Sequence, residues 1–392
     1  MKKSMFSLCL CALSGAAAAQ SSVTLYGVAD AALTYVSNSK GARQYLMTNG
    51  NQAGDRWGLS GVEDLGGGLK AIFTLEAGYS LSNGTMGQNG TEFGRQAFLG
   101  LSSSEYGTLT FGRQYSTVYL AVGPITAVAD WAAAGSGFGA HPGDVDNLDS
   151  SNRINNSVKY QSVSYKGLTF GGLYSFGGKP GQFSQNAIWD VSTAYANGPI
   201  KAAIGYVFVK NPNFSFWGDK ANDSATASNM TNPISAGYAS AGSQQIIAAA
   251  GAYAIGPVSV GAAYTNTQFQ KLGTVKVVGL SGPEAAYSGT ASFNTGEVNL
   301  KYRPTPPLLL AASYAYTKNS GASGDPGARY QQVNLGAVYA LSTRTSLYAV
   351  AVYQEARGAD STGVKAVADL VGISPSSSGT QKLVTLGMTH RF

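Results

Sequence analysis

From Val23 to its last residue the chain alternates. In its final ten residues, LVTLGMTHRF, counting back by twos from Phe392 gives His390, Met388, Leu386 and Val384, and the interleaved set is Arg391, Thr389, Gly387 and Thr385. Successive side chains leave a β-strand on opposite faces, so a segment with one apolar and one polar face meets a different environment on each side. The same period recurs in LKAIFTLEAGY, LTFGGLYSF and VNLGAVYAL. Sixteen such segments run from Ser22–Val36 and Asp55–Asp64 through to Arg344–Glu355 and Gln381–Phe392. Segments with helical periodicity are missing, and none offers the ~20 apolar residues of a membrane-spanning helix.

The links between segments alternate as well. LGGG, SEY, YK, NG, PTP and ST follow even-numbered segments, whereas longer Gly/Ser/Asn-rich stretches follow odd-numbered ones. An even strand count with short turns at one end and long loops at the other is the layout of a transmembrane antiparallel β-barrel. Lipid offers no hydrogen-bond partners, so a spanning sheet has to close on itself. A soluble β-sandwich would alternate too, but it would not account for so few apolar residues on the second face. Val384, Leu386, Met388 and Phe392 are therefore expected against lipid, and Thr385, Gly387, Thr389 and Arg391 against a lumen too wide for side chains to fill.

Composition excludes several other classes. The opening MKKSMFSLCLCALSGAAAAQ has the charged start, short apolar run and small-residue cleavage site of a secretory signal, predicting residues 1–19 as signal peptide and 20–392 as one barrel domain. Both cysteines, Cys9 and Cys11, fall inside that signal. The net charge of +6 includes Lys2 and Lys3, and only 12% of residues are charged, so a nucleic-acid-binding patch is not indicated. With only His141 and His390 in the chain, a Ser/His/acid triad or a multi-histidine metal site has little material, and no enzyme activity or cofactor is expected.

The segments SSVTLYGVADAALTY, DRWGLSGVEDLGGGLKAIFTLEAGY, FGRQAFLGLSSSEYGTLTFGRQY, NNSVKYQS, GLTFGGLYSF and the terminal THRF together resemble Gram-negative general porins, the trimeric sixteen-stranded class and particularly its β-proteobacterial members. The resemblance covers the whole chain after the signal. It implies an outer-membrane location among lipid and lipopolysaccharide, a homotrimer, and passive diffusion of small polar solutes and ions. It also implies that the terminal Phe392 is read by the outer-membrane insertion machinery; an ordinary interfacial aromatic anchor is the plainer alternative. Small residues Ala29, Ala31, Ala97 and Gly100 on early strands suit close subunit packing, and His390 suits the periplasmic rim.

In this family the third loop, here residues 115–152, folds into the lumen and narrows it. Asp144, Asp146 and Asp149 lie on it. Arg56 shares parity with Gly58 and Ser60, opposite Trp57 and Leu59, and so projects into the lumen. Arg56, Arg95 and Arg153 resemble the family's constriction arginines, and Glu76 its wall carboxylate. Val28 stands where some relatives carry a lumen lysine. Solvated lumen charges remain the bland alternative for the arginines. For the aspartates the alternatives are an acidic turn or a calcium loop, the latter lacking the Gly and bidentate Glu of a helix-loop-helix site. A substrate-specific channel and a barrel that adheres through its loops stay open. The arginines suggest an anion lean, offset by the three aspartates.

Overall fold

The computed structural model describes residues 21–217 and 229–392, so the expected signal peptide lies outside the described residues. Seventeen strand segments form one antiparallel sheet among the described residues. They are β1 (Ser22–Ser39), β2 (Ala42–Asn49), β3 (Arg56–Gly66), β4 (Leu69–Gly78), β5 (Gln96–Ser103), β6 (Gly107–Gln114), β7 (Ile154–Gln161), β8 (Leu168–Ser175) and β9 (Ile188–Asn197). There follow β10 (Ile200–Lys210), β11 (Ser243–Ile255), β12 (Val258–Leu272), β13 (Gly289–Thr305), β14 (Leu308–Asn319), β15 (Arg329–Ala340), β16 (Thr345–Arg357) and β17 (Thr380–Arg391). β17 pairs with β1 from Val28↔Arg391 to Val36↔Leu383, which closes the barrel.

Two of the seventeen segments share one stave, so the barrel has sixteen. The upper part of β1 pairs with β2 and its lower part with β3. This corrects the expectation of a long loop after the first segment. The chain turns tightly at Lys40 and Gly41, both at positive φ as a two-residue hairpin requires, and returns immediately as β2. Residues 50–55 form the interruption between β2 and β3. Asp30 holds it: its carboxylate accepts from the amides of Asn51 at 2.9 Å and Gln52 at 3.2 Å and from the Tyr348 hydroxyl at 2.6 Å. Asp55 accepts in turn from the Asp30 amide at 2.6 Å.

The faces sort as the alternation requires. Leu386 is 58% exposed and Leu335 53%, while Thr385, Thr389, Gln332 and Asn334 are buried. Burying one such outward side chain in hydrocarbon is favourable by about 1.5–3 kcal/mol, and the apolar set extends around the barrel. No described helix is long and apolar enough to cross a membrane; the strands do the crossing. Ala29, Ala31 and Ala97 share the outward set with Leu33 and Leu99, but Gly100 falls on the inward set, where an added Cβ would lie 2.2 Å from the Leu109 carbonyl oxygen.

The inner face is not uniformly polar. Leu173, Ala203, Val207, Ala248 and Ala250 point inward and pack with Val118, Val122, Ile125 and Leu148 from the β6–β7 connection. Trp131 and Ala132 of that connection pack against Leu309 of β14. The inward apolar positions are the seats of a chain segment rather than faces open to water.

Candidate functional site

The β6–β7 connection opens with Ser116, whose side chain accepts from the Val118 amide and caps the short helix Thr117–Val122. Asp190 of β9 accepts from the Thr117 amide at 3.1 Å, which fixes the helix start to the wall. From there the connection reaches inward-facing side chains on the far staves. The Ala127 amide donates to Glu297 of β13 at 2.9 Å, and Asn299 donates to the Ile125 carbonyl at 3.0 Å. Gln332 and Asn334 of β15 donate to the carbonyls of Ala140 and Gly139. Gly135 and Ser136 close the circuit by donating to the Asn51 carbonyl in the interrupted second stave.

Arg56, Glu76 and Arg95 come together on β3, β4 and the approach to β5. Arg95 Nε lies 2.9 Å from Glu76 Oε1, and Arg95 Nη2 donates to the Tyr115 hydroxyl at 3.0 Å. Strict alternation would put Arg95 on the outward set with Ala97, but the strand begins only at Gln96 and the bend before it turns the guanidinium inward. Tyr26 donates to the other Glu76 oxygen at 3.0 Å. It reaches there because it crosses Gly58, where an added Cβ would sit 2.8 Å from the phenol ring. Arg56 stands within electrostatic range of Arg95 and Glu76. Arg153, just before β7, holds its guanidinium 5.5 Å above the Tyr115 ring, an attractive cation–π arrangement.

The three loop acids have separate surroundings. Asp144 accepts from the amides of Asp149 and Ser151, both at 3.0 Å, and so organises the loop backbone. Burial, with the nearby Asp146 charge, raises its carboxyl to about 6. Asp146 Oδ2 lies 2.6 Å from His141 Nδ1 and accepts from Thr265 of β12 at 2.8 Å. Asp149 feels both Arg153 and Arg95, but burial and the Asp144 charge outweigh them and hold its carboxyl well above the ordinary 3.8. Asp144 and Asp146 are buried, the first under the loop's own amides and the second against β12.

A model of the family described as "Gram-negative porin" matches residues 7–359. The chain belongs to that family. An outer membrane porin of Bordetella pertussis is 38% identical over 233 residues, which cover 53% of this chain and 59% of that protein. Outer membrane porin protein 32 of Delftia acidovorans is 28% identical over the full length of both chains. The solved anion-selective porin from Comamonas acidovorans superposes with a TM-score of 0.69 at 24% identity, covering 95% of this chain and all of that one. This porin is accordingly an outer-membrane barrel, with its short turns on the periplasmic side and its long loops outside.

Several residues near these charges are not singled out by the sequence. Tyr26 and Lys159 face inward by the same parity that selects Arg56, and Lys159 donates to the Tyr115 carbonyl at 3.3 Å. Tyr115 and Tyr119 lie on the aperiodic connection, where no parity applies, with their rings tilted at 41° and their centroids 5.3 Å apart. His141, set aside as a lone histidine, lies between Asp146 and Glu297, whose Oε2 is 3.3 Å from His141 Nε2. Arg113 donates to the Gly94 carbonyl at 2.7 Å and to Asn155, a bracing role between β6 and its neighbours. His390 is exposed at the turn end, with Nδ1 2.9 Å from the Thr345 hydroxyl.

Proposed function

We propose that this porin conducts small hydrophilic solutes and ions by diffusion, sorted by size and by a charged waist. One wall of that waist is the cationic set Arg56, Arg95 and Arg153; the other is the 115–152 connection carrying Asp149. Guanidinium stays protonated at every accessible pH, so the wall charge is permanent. Fixed cations facing a carboxylate across a narrow, partly low-dielectric gap set up a transverse field that orients dipolar solutes and disfavours large apolar ones. The observation that carries this reading is the Arg95 bridge, which links the wall carboxylate Glu76 to Tyr115 at the root of the connection.

The field leans toward anions. Glu76 is paired with Arg95, Asp144 with backbone amides and Asp146 with His141, and burial with the Asp144 charge opposes ionisation of Asp149, so the loop offers the arginines little free negative charge. Replacing Arg56 and Arg153 with Gln shifts the reversal potential in asymmetric KCl toward the cation side, with a smaller change in conductance. Unaltered selectivity in planar bilayers would refute the transverse-field account. A homotrimer in contact with lipid, and Phe392 as an insertion signal, complete the proposal. The Phe392 carbonyl and amide bond to Gly27 at 3.0 and 3.1 Å, so a signal read there is also part of the closing seam.

A further inference from the structure

Not every inward apolar side chain seats the β6–β7 connection. Val62 of β3, Ile72 of β4 and Phe98 of β5 share the inward set with Arg56 and Glu76, yet none packs into the apolar clusters that hold the loops. They form one patch. Val62 pairs with Ile72, and Phe98 pairs with Thr74, one inward position along β4 from Ile72. Gly100 stands opposite Ile72 on the next strand and Gly112 opposite Phe98, so neither gains an apolar neighbour from that side. Val62 is 37% exposed, and Ile72 and Phe98 are half-buried. On the connection itself Val118 and Val122 pack against the wall, and Leu120, midway between them and about 200° round the helix, points into the lumen and is 43% exposed. Side chains open to a water-filled lumen gain no burial from the fold, so an apolar strip there is a contact surface for what passes.

The strip lies on the turn side of the arginines and on the same strands. Phe98 follows Arg95 by three residues and Ile72 precedes Glu76 by four, which separates the charged and apolar levels by about 10–13 Å along a strand. At the charged level two of the three guanidiniums are untied. Arg95 is held by Glu76 and Tyr115, whereas Arg153 Nε is buried with no hydrogen-bond partner and Arg56 forms neither a side-chain hydrogen bond nor an ion pair among the described residues. A guanidinium donates two parallel N–H groups to a carboxylate, so Arg56 and Arg153 suit an anionic head and the strip suits an apolar body behind it. We propose that this porin favours monocarboxylates with a compact apolar or aromatic body, the carboxylate drawn to Arg56 and Arg153 and the body passing over Phe98, Ile72 and Val62 and past Leu120. A neutral apolar solute has no hold on the arginines, and a polyhydroxylated acid gains nothing from the strip. The proposal rests on the charged constriction given above and names the solute class that it serves.

The test uses the full-length protein in planar bilayers, with sodium chloride on one side and sodium 3-phenylpropionate or sodium gluconate on the other, and reads each permeability relative to chloride from the reversal potential. After correction for mobility in free solution, wild type should pass 3-phenylpropionate at least about fivefold more readily than gluconate. F98S/I72T on the wall and L120S on the connection should each bring that ratio toward one while keeping wild-type conductance and selectivity in KCl, which also marks a folded barrel. Should the wall pair fail to conduct, L120S alone decides. A wild-type ratio near one, or a wild-type ratio kept by the conducting variants, overturns the proposal. Unaltered KCl selectivity in R56Q/R153Q would instead overturn the charged constriction, so the two failures are distinguishable.

Discussion

At the scale of single residues, the proposed constriction depends on which charges are tied and which are free to act. Glu76 and Arg95 hold each other, and Tyr26 and Tyr115 take up the remaining directions of the pair. His141 is held differently. Burial alone would lower its pKa, but the Asp146 carboxylate at 2.6 Å and Glu297 at 3.3 Å more than offset this and raise it well above 6.5. Its contribution is therefore fully present below the unfolded value of about 6.5 and is lost as pH rises through the folded value. Burial opposes ionisation of Asp146 too, yet His141 and Thr265 carry it below its ordinary 3.8, so its share is lost only when pH falls through that lowered value. Between those limits the loop is anchored. Raising pH past the upper limit should bring more frequent closures in single-channel records, and His141→Gln should show them at all pH values. Removing one partner of a buried pair leaves the other uncompensated at a cost of roughly 3–5 kcal/mol. Records of the variant that match wild type across the pH range would rule the anchor out.

At the scale of elements, alternation placed Arg56 and Glu76 on the inward set of β3 and β4 because a strand's geometry is local. It gives no rule for Arg95, which precedes its strand, and it missed residues 42–49, where turn-like residues on either side mask a short strand. Two inward glycines are sockets for the loop. An added Cβ would lie 2.6 Å from Val118 at Gly205 and 2.5 Å from the Trp131 ring at Gly336. Gly336→Val should therefore expel Trp131, lower the unfolding temperature by overpacking worth about 1–3 kcal/mol, and alter conductance. Gly251→Ala is the control, since the nearest atom to its new Cβ is 3.7 Å away. A Gly336→Val protein with wild-type conductance and melting would mean that the socket does not position the loop.

At the scale of the molecule, closure joins the first strand to the last residue. Phe392 lays its ring over Gly27, where an added Cβ would fall 2.2 Å from the ring, so both positions are constrained by one seam. Heat-modifiable gel migration tests the assembly. Unboiled protein should run as one species larger than a single chain and convert to the monomer on boiling, with Gly27→Val lowering the conversion temperature. Migration as a monomer without heating would argue against a detergent-resistant trimer. The barrel, its strand faces and the inward direction of Arg56 and Glu76 could be derived from residue order alone, because a period of two is imposed by the backbone within each strand. The disposition of the 115–152 connection could not. Its tethers join residues 119, 170 and 192 positions apart, Asp146 to Thr265, Ala127 to Glu297 and Ala140 to Gln332. An aperiodic segment carries no local rule for which way a side chain turns. Which of Asp144, Asp146 and Asp149 faces the arginines is thus decided only when the far wall supplies its hydrogen-bond partners.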